Sequence, residues 1–421
     1  MFRPAFRDQL PAATQSNTVS SVLATGLLRS YGDSCLNGPG GLIDMTGLDR
    51  LIAFDRTTGR LVVEAGISLS DILKIVVPHG WFLPTTPGTR FVSIGGAVAN
   101  DVHGKNHHRA GSIGCSVRAL GLVTAGERRT IGPDAEAALF AATIGGLGLT
   151  GIIEWVDLQL VPVPSSRLDV EIIPYGSLDE FWAIASESVV SHEHTVAWID
   201  CMSGGAHTGR GAFTRANWAT DGVYEAHSDA SWKAVPVEFP SIALNRLTVS
   251  AFNEVYFRAH QLQRRRQLQH YATYFYPLDA VSSWNRLYGR RGMLQYQCVI
   301  PPGGDRGVIR SLLDRIAKSG QASFLAVLKT FGERTSPGLL SFPRPGSTLA
   351  LDFPNRGVET LALMRTLDAI VAEAGGALYP AKDGRMPAPM FRQSFPRWRE
   401  VAACKDPRVN SDFWRRVSLD D

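Results

Sequence analysis

Cysteine is scarce in this chain. Cys35, Cys115, Cys201, Cys298 and Cys404 are the five in 421 residues, an odd number widely spread, and no CxxC occurs. That pattern excludes a disulfide scaffold and a structural zinc ribbon, and it favours a reducing compartment. An excess of one charge is also missing. Lys and Arg number 43 against 39 Asp and Glu, and a net charge of +4 falls far short of a nucleic-acid footprint. The densest basic run, Arg264-Arg265-Arg266, reads either as a solvated helix face or as a contact for an anionic lipid or phosphate. No apolar leader follows Met1, and the uncharged stretch between Glu136 and Glu154 holds four glycines and two threonines. Neither a signal peptide nor a membrane span is expected. The expected location is the cytoplasm, with at most a peripheral contact at the inner membrane. Internal repeats and low-complexity tracts are lacking too, which excludes a solenoid.

What is present suits a globular enzyme. Hydrophobic residues make up 44% of the chain, enough for large cores, and the length fits two to three domain-sized units. The N-terminal part is rich in Gly and short apolar runs. Periodicity predicts a strand over 61–66, a helix over 68–77 capped by Ser68 or Ser70, a helix from Pro133 to Ala142, and a strand over 152–160. The turn-rich run Val161–Arg167 marks a boundary. Beyond it, strands are expected over 296–300, 324–329 and 348–353, and a helix over 358–373 ending at Gly375-Gly376. Strands and helices without regular βαβ alternation predict an α+β fold. The expected division is a first domain over 1–163, a second over 164–376 with an antiparallel sheet flanked by helices, and a C-terminal segment 377–421 that returns to the first.

Three glycine-rich segments carry the chemistry. Gly146-Leu147-Gly148-Leu149-Thr150-Gly151 matches GxGxxG, but a helix precedes it and a strand follows. A Rossmann site needs the opposite order, so NAD-type binding is rejected. The second segment runs from Pro87 to Asn100 and continues through Asp101–His108 to Gly114. Consecutive small residues let backbone approach a ligand, and their free N–H groups form anion nests. The third, Ala24 to Asp33, is a short strand running into a turn with a cation and hydroxyls. Three such loops can wrap one diphosphate cofactor.

Together these residues resemble the FAD-binding domain of the vanillyl-alcohol oxidase superfamily. Within it the chain is most similar to the decaprenylphosphoryl-β-D-ribose 2-oxidase family, the flavin half of a ribose-to-arabinose epimerase. The segments that carry the likeness are Arg29-Ser30-Tyr31-Gly32-Asp33, Val102-His103-Gly104-Lys105-Asn106-His107-His108-Arg109-Ala110-Gly111-Ser112, Leu294-Gln295-Tyr296-Gln297 and Ala381-Lys382-Asp383-Gly384-Arg385. The likeness spans residues 22 to 416. It implies a two-part FAD-binding domain joined to a substrate domain. It also implies FAD-dependent oxidation of a sugar secondary hydroxyl to a ketone, most directly the 2-hydroxyl of a polyprenyl-phosphoryl ribose in cell-envelope arabinose synthesis. A separate NAD(P)H-dependent short-chain reductase would complete the epimerisation. The alternative is an FAD-dependent oxidase of a soluble sugar, alditol or glycoside.

The cofactor contacts that the resemblance implies fall in four places. The first loop supplies Thr25, Gly26, Leu27, Arg29, Ser30 and Tyr31. The flavin-side run supplies Pro87, Gly88, Thr89, Val92, Gly95, Gly96, Ala97, Asn100, Asp101, Val102, His103, Gly104, Asn106, His107, Gly111 and Ser112. The third run supplies Gly146, Gly148, Gly151 and Ile152, and the C-terminal part supplies Tyr379. Covalent-flavin members often carry a His in the first loop, where this chain has Arg29-Ser30, so FAD is expected to be non-covalent. The stretch before Arg29 is short, so the first strand and helix are expected to be abbreviated. Thr348 and Ala350 stand where mycobacterial members carry an amide and a cysteine.

Oxidising an alcohol requires a proton acceptor within hydrogen-bond reach of the hydroxyl. Lys382 is the first candidate, with Tyr31 and His103 to orient the hydroxyl or move the proton; a surface salt bridge between Lys382 and Asp383 is the competing reading. Lys105, Arg286 and Lys329 read as partners of a substrate phosphate or as solvated cations. Gln295 and Gln297 alternate with Tyr296, so both amides share one strand face and suit sugar hydroxyls. Thr348 and Ala350 complete the substrate list, with Trp198 packed on the sugar, on the lipid or in the core. A metal site through His103, His107 and His108 is not expected, because no carboxylate or cysteine signature accompanies them.

Overall fold

The alternation along 152–160 builds a central strand. In the computed structural model, which describes residues 1–15, 18–229, 233–240, 244–262 and 265–418, Ile152–Gln159 lies inside a five-stranded antiparallel sheet. Its order is Leu51–Asp55, Arg60–Glu64, Ile152–Gln159, Val117–Thr124, Glu127–Ile131. Helix Leu69–Val76 buries Leu69, Ile72, Leu73 and Val76, and Ser68 Oγ caps it by accepting the Asp71 N–H at 3.0 Å. Ahead of the sheet, Val22–Thr25 pairs in parallel with Gly41–Asp44. The six-residue helix Leu10–Gln15 precedes that pair, so the N-terminal helix is short but present.

A second sheet has eight strands, all antiparallel. Its order is Arg265–His270, Arg167–Tyr175, Gly211–Trp218, His194–Ile199, Ala326–Phe331, Gly346–Pro354, Met293–Ile300, Ala377–Leu378. Period-two alternation gives this sheet two chemically different faces. On one, Tyr296, Cys298, Leu328, Leu349 and Leu351 pack with Phe181, Leu312 and Leu367 of helices Leu178–Ser191, Asp305–Ser319 and Val358–Glu373. The other face carries Gln295, Gln297, Lys329, Thr348, Ala350 and Asp352, in register across three strands. One apolar cluster joins residues on both sides of position 163, with Leu168, Val170 and Tyr271 packed among Leu73, Phe82 and Val156.

The C-terminal segment closes on the first loop. The Val22 N–H donates to Arg408 O at 2.8 Å, the Gly38 N–H to Asp412 Oδ1 at 3.0 Å, and Arg416 Nη2 to Asp33 Oδ1 at 2.6 Å.

Three expectations change. The helix expected from Pro133 begins at Ala137, because Gly132 and Ala135 bond to each other across a tight turn that holds Pro133. The strand expected over 324–329 runs Ala326–Phe331, because the Phe324 carbonyl accepts the Trp198 indole N–H at 3.0 Å before the ladder starts. In the basic run, Arg264 lies outside the described residues, and Arg265 opens an edge strand rather than a helix face. Arg266 is held there by Asp169 at 2.9 Å. Among the described residues, no helix is long and apolar enough to cross a membrane.

Candidate active site

The glycine-rich loops meet at close range. A Cβ on Gly26 would lie 1.9 Å from Ser93 Oγ, so only glycine lets the first loop pass there. Ser93 caps helix Ile94–Ala99 by accepting the Gly96 N–H at 3.3 Å. Arg29 Nε donates to the Phe91 carbonyl at 3.2 Å, tying the first loop to the second. The Tyr31 N–H donates to Ala381 O at 3.0 Å, and Tyr379 Oη donates to Asn100 O at 3.0 Å, so the C-terminal segment joins both. The Tyr379 ring stacks on Phe342 with centroids 4.5 Å apart.

This junction fits a flavin dinucleotide. A Cβ would meet nothing within 4 Å at Gly88 or at Gly148, so backbone is open to a ligand there. The buried Asn100 Oδ1 has no partner among the described residues. Leu27, Ser30, Pro87, Thr89, Val92 and Val102 lie on the same loops, whereas Thr25 ends the strand Val22–Thr25 and Ala97 is buried in helix Ile94–Ala99. Other candidates are already committed to the protein. Asp101 is fully buried, and its carboxylate accepts from the Gly114 N–H at 2.9 Å, from Ser336 Oγ at 2.5 Å and from Ser341 Oγ. Asn106 Nδ2 donates to Pro84 O at 2.9 Å, and a Cβ on Gly151 would lie 2.5 Å from Val123 O. Ile152 is sealed in the sheet core. Gly104 is pressed against Thr85 and Thr86, Gly111 against Cys115, and Gly146 against Ala142 O. Ser112 pairs with His103 in an isolated bridge.

Above the junction stands the polar face of the large sheet. Gln297 Nε2 lies 3.0 Å from His103 Nε2 and donates to Thr348 Oγ1 at 3.1 Å. Lys329 Nζ lies 3.3 Å from His103 Nδ1. Burial, with Lys329, His107 and Lys382 nearby, holds His103 well below the usual imidazole range, so the ring is neutral. Burial also pulls Lys329 down to about 7, helped by Lys105 and Lys382. Ala350 is the register partner of Gln297 and adds no bulk beside the amide.

Lys382 lies 5.2 Å from the centroid of the Tyr31 ring. Burial lowers its pKa, and Asp352 opposes that shift. The competing salt bridge with Asp383 does not form: Asp383 accepts from the Arg385 N–H at 3.0 Å and from the Met386 N–H. Asp352, absent from the expected site, completes the group. It is 4% exposed and accepts from Gln295 Nε2 at 2.5 Å, and burial raises its pKa to about 6. The signal was available: Thr348, Ala350 and Asp352 follow period two on one strand face.

Two of the substrate candidates are held elsewhere. Arg286 Nη1 donates to the Val235 and Pro236 carbonyls at 3.1 and 3.0 Å, clamping a loop. The Lys105 ammonium donates to Tyr274 O and sits 4.1 Å from that ring's centroid. Trp198, by contrast, shares the polar face, pairing with Val327 in the register row of Ala350 and Gln297, and packs on Tyr256 at 4.7 Å. The three histidines of the loop diverge: His107 Nδ1 accepts the Gly332 N–H at 3.3 Å and His108 Nε2 meets His192 O at 3.0 Å, while His103 meets Gln297.

A model of the FAD-binding domain matches residues 7–132. The chain is 38% identical to decaprenylphosphoryl-β-D-ribose oxidase of Mycolicibacterium smegmatis, over 94% of this chain and 89% of that protein. It belongs to that oxidase family. It is an FAD-dependent oxidoreductase acting on CH–OH groups. It is also 34% identical to an uncharacterized protein of Streptomyces coelicolor, over 84% of this chain and all of that one. An alditol oxidase of a Streptomyces species shares 27% identity over 38% of this chain and 38% of its own. The full-length likeness therefore lies with the ribose oxidase, not with the alditol oxidase.

Proposed function

We propose that this oxidase converts the 2-hydroxyl of a polyprenyl-phosphoryl ribose to a ketone, the first half of epimerisation to the arabinose. The observation that carries the reading is the polar face of the sheet, where Gln297, His103, Thr348 and Lys329 form one connected array beside Lys382 and Asp352. Such an array offers donors and acceptors at several points, as a sugar with adjacent hydroxyls requires. FAD, when bound, supplies the hydride acceptor. Gly26, Arg29, Gly88, Gly96, Asn100, Gly148 and Tyr379 would hold it. Lys382, as the neutral amine, takes the hydroxyl proton at Nζ. Asp352 sets its charge, and the neutral His103 ring, fixed by Gln297, orients the hydroxyl. Lys329 is the candidate for the phosphate, since its Nζ stands beside His103 in the array while Lys105 and Arg286 are held at Tyr274 O and at the Val235 and Pro236 carbonyls. A 2-keto product calls for a hydride-donating reductase of the NAD(P)H-dependent class.

Anaerobic mixing with polyprenyl-phosphoryl ribose tests the reading. The flavin absorbance should bleach with this substrate and persist with free ribose or an alditol. Bleaching by the alditol alone would reject the assignment. The same yellow protein, precipitated with acid, should release its flavin to the supernatant, because no histidine stands in the first loop.

Asp352 gives the reaction an acid limb. As pH falls, the Asp352 carboxyl protonates through about 6 and the Lys382 amine also takes up a proton, so the site loses its anion and its proton acceptor. The kcat/KM for flavin reduction should fall as pH drops through that value. Asp352→Asn should lose the inflection. A profile unchanged by the substitution would remove Asp352 from the site.

A further inference from the structure

Helix Arg246–Gln261 turns an apolar stripe toward solvent. Leu247, Ala251, Val255, Arg258 and Leu262 recur at helical spacing on its outer side. Leu247, Val255 and Leu262 are 80%, 69% and 85% exposed. Scattered exposed leucines are ordinary, but an ordered stripe on one helix is not. The inner face accounts for the helix's attachment. Val249, Asn253 and Phe257 are buried, Asn253 Nδ2 donates to Asp200 Oδ1 at 2.7 Å, and Arg210 lies over the Phe257 ring at 4.7 Å. The stripe is therefore not needed to hold the helix in place.

Charge names the partner. Residues 233–291 hold nine Lys and Arg against three Asp and Glu, in a chain whose total is only +4. The rest of the protein is net acidic. An outward apolar stripe set in a basic segment is the chemistry of an interfacial helix on an anionic bilayer. The helix also adjoins the site. Tyr256 packs on Trp198 at 4.7 Å, Phe252 on Phe324 at 5.8 Å, and Phe324 stacks on Tyr288 at 5.6 Å. Trp198 pairs with Val327 in the register row of Ala350 and Gln297, so this aromatic group reaches the polar face.

We propose that the outer face of helix Arg246–Gln261 docks the enzyme on an anionic phospholipid surface, setting the mouth of the site at the plane where a lipid-linked sugar presents its head. Only the second half of this statement rests on the proposed substrate.

Flotation of the FAD-loaded protein with vesicles tests it without substrate. The protein should float with equal parts phosphatidylcholine and phosphatidylglycerol, stay behind with phosphatidylcholine alone, and detach at high salt. The triple variant Leu247→Glu, Val255→Glu, Leu262→Glu should bind at least about tenfold more weakly. All three side chains are solvent-exposed, so the fold should hold, and turnover of a water-soluble short-chain prenyl-phosphoryl ribose should match the parent. Equal flotation of variant and parent, or none by the parent, overturns the proposal. A parent dimer that the variant dissolves, read by sedimentation velocity, overturns it in favour of a second copy on this face. Failure of the short-chain substrate with the parent protein would instead strike the substrate reading and leave the docking result standing.

Discussion

Lys382→Ala should keep its FAD and lose about 10²–10⁴-fold in the rate of flavin reduction at saturating substrate. The size follows from what the amine does. Among the described residues its nitrogen makes no hydrogen bond, and Asp383 is occupied by the Arg385 and Met386 N–H groups. Burial lowers the pKa of the amine and so favours the neutral form that accepts a proton, while Asp352 opposes that shift. Removing it takes away the proton acceptor but leaves intact the glycine junction that would hold the cofactor. Stopped-flow reduction with matched flavin content is the measurement. A near-normal rate would make Lys382 structural and move the chemistry to His103 or Tyr31.

Asp101→Ala should destabilise the protein by about 3 kcal/mol and weaken FAD retention. Its carboxylate gathers the Gly114 N–H and the Ser336 and Ser341 hydroxyls in a fully buried position. Alanine would leave three donors without an acceptor, and each buried orphan costs about 1–3 kcal/mol. Desolvation already raises the Asp101 pKa, which offsets part of that loss. The φ of 42° is a second reason for an aspartate, because alanine tolerates it less well. Urea unfolding of the two proteins, with flavin fluorescence followed in parallel, measures both effects. A change under about 0.5 kcal/mol would mean the network is dispensable.

Local pattern explains which features were legible. Ser68 as a cap, Val358–Glu373 as a helix and the order of elements around Gly146–Gly151 all rest on neighbours within one or two turns. The two-faced sheet follows from alternation, so Gln295 and Gln297 could be placed on one side before any contact was known. Asp352 is legible on the same ground, two positions beyond Ala350 on the same strand face. Lys105 and Arg286 were not legible. Sequence gives a cation its charge but not its direction, and their partners, Tyr274 and the Val235–Pro236 carbonyls, lie far along the chain. Asp101 misled for the same reason. It sits in a cofactor-like run, yet Ser336 and Ser341 come from more than 200 positions away.

The closure of the C-terminal segment on the first loop sets an order of events during synthesis. Arg416 and Asp33 are separated by 383 positions, and Asp412 holds Gly38 across a similar interval. At roughly 5–20 residues per second, the ribosome needs on the order of 20–80 seconds to bridge that gap. For that time the first glycine loop has been made but lacks the groups that brace it, and Tyr379 has not arrived to cover Asn100. The N-terminal sheet of a nascent chain therefore emerges well before the residues that brace its first glycine loop. The braced form of that loop is thus a property of chains that extend to Arg416, and the proposed flavin site is completed late rather than early in synthesis.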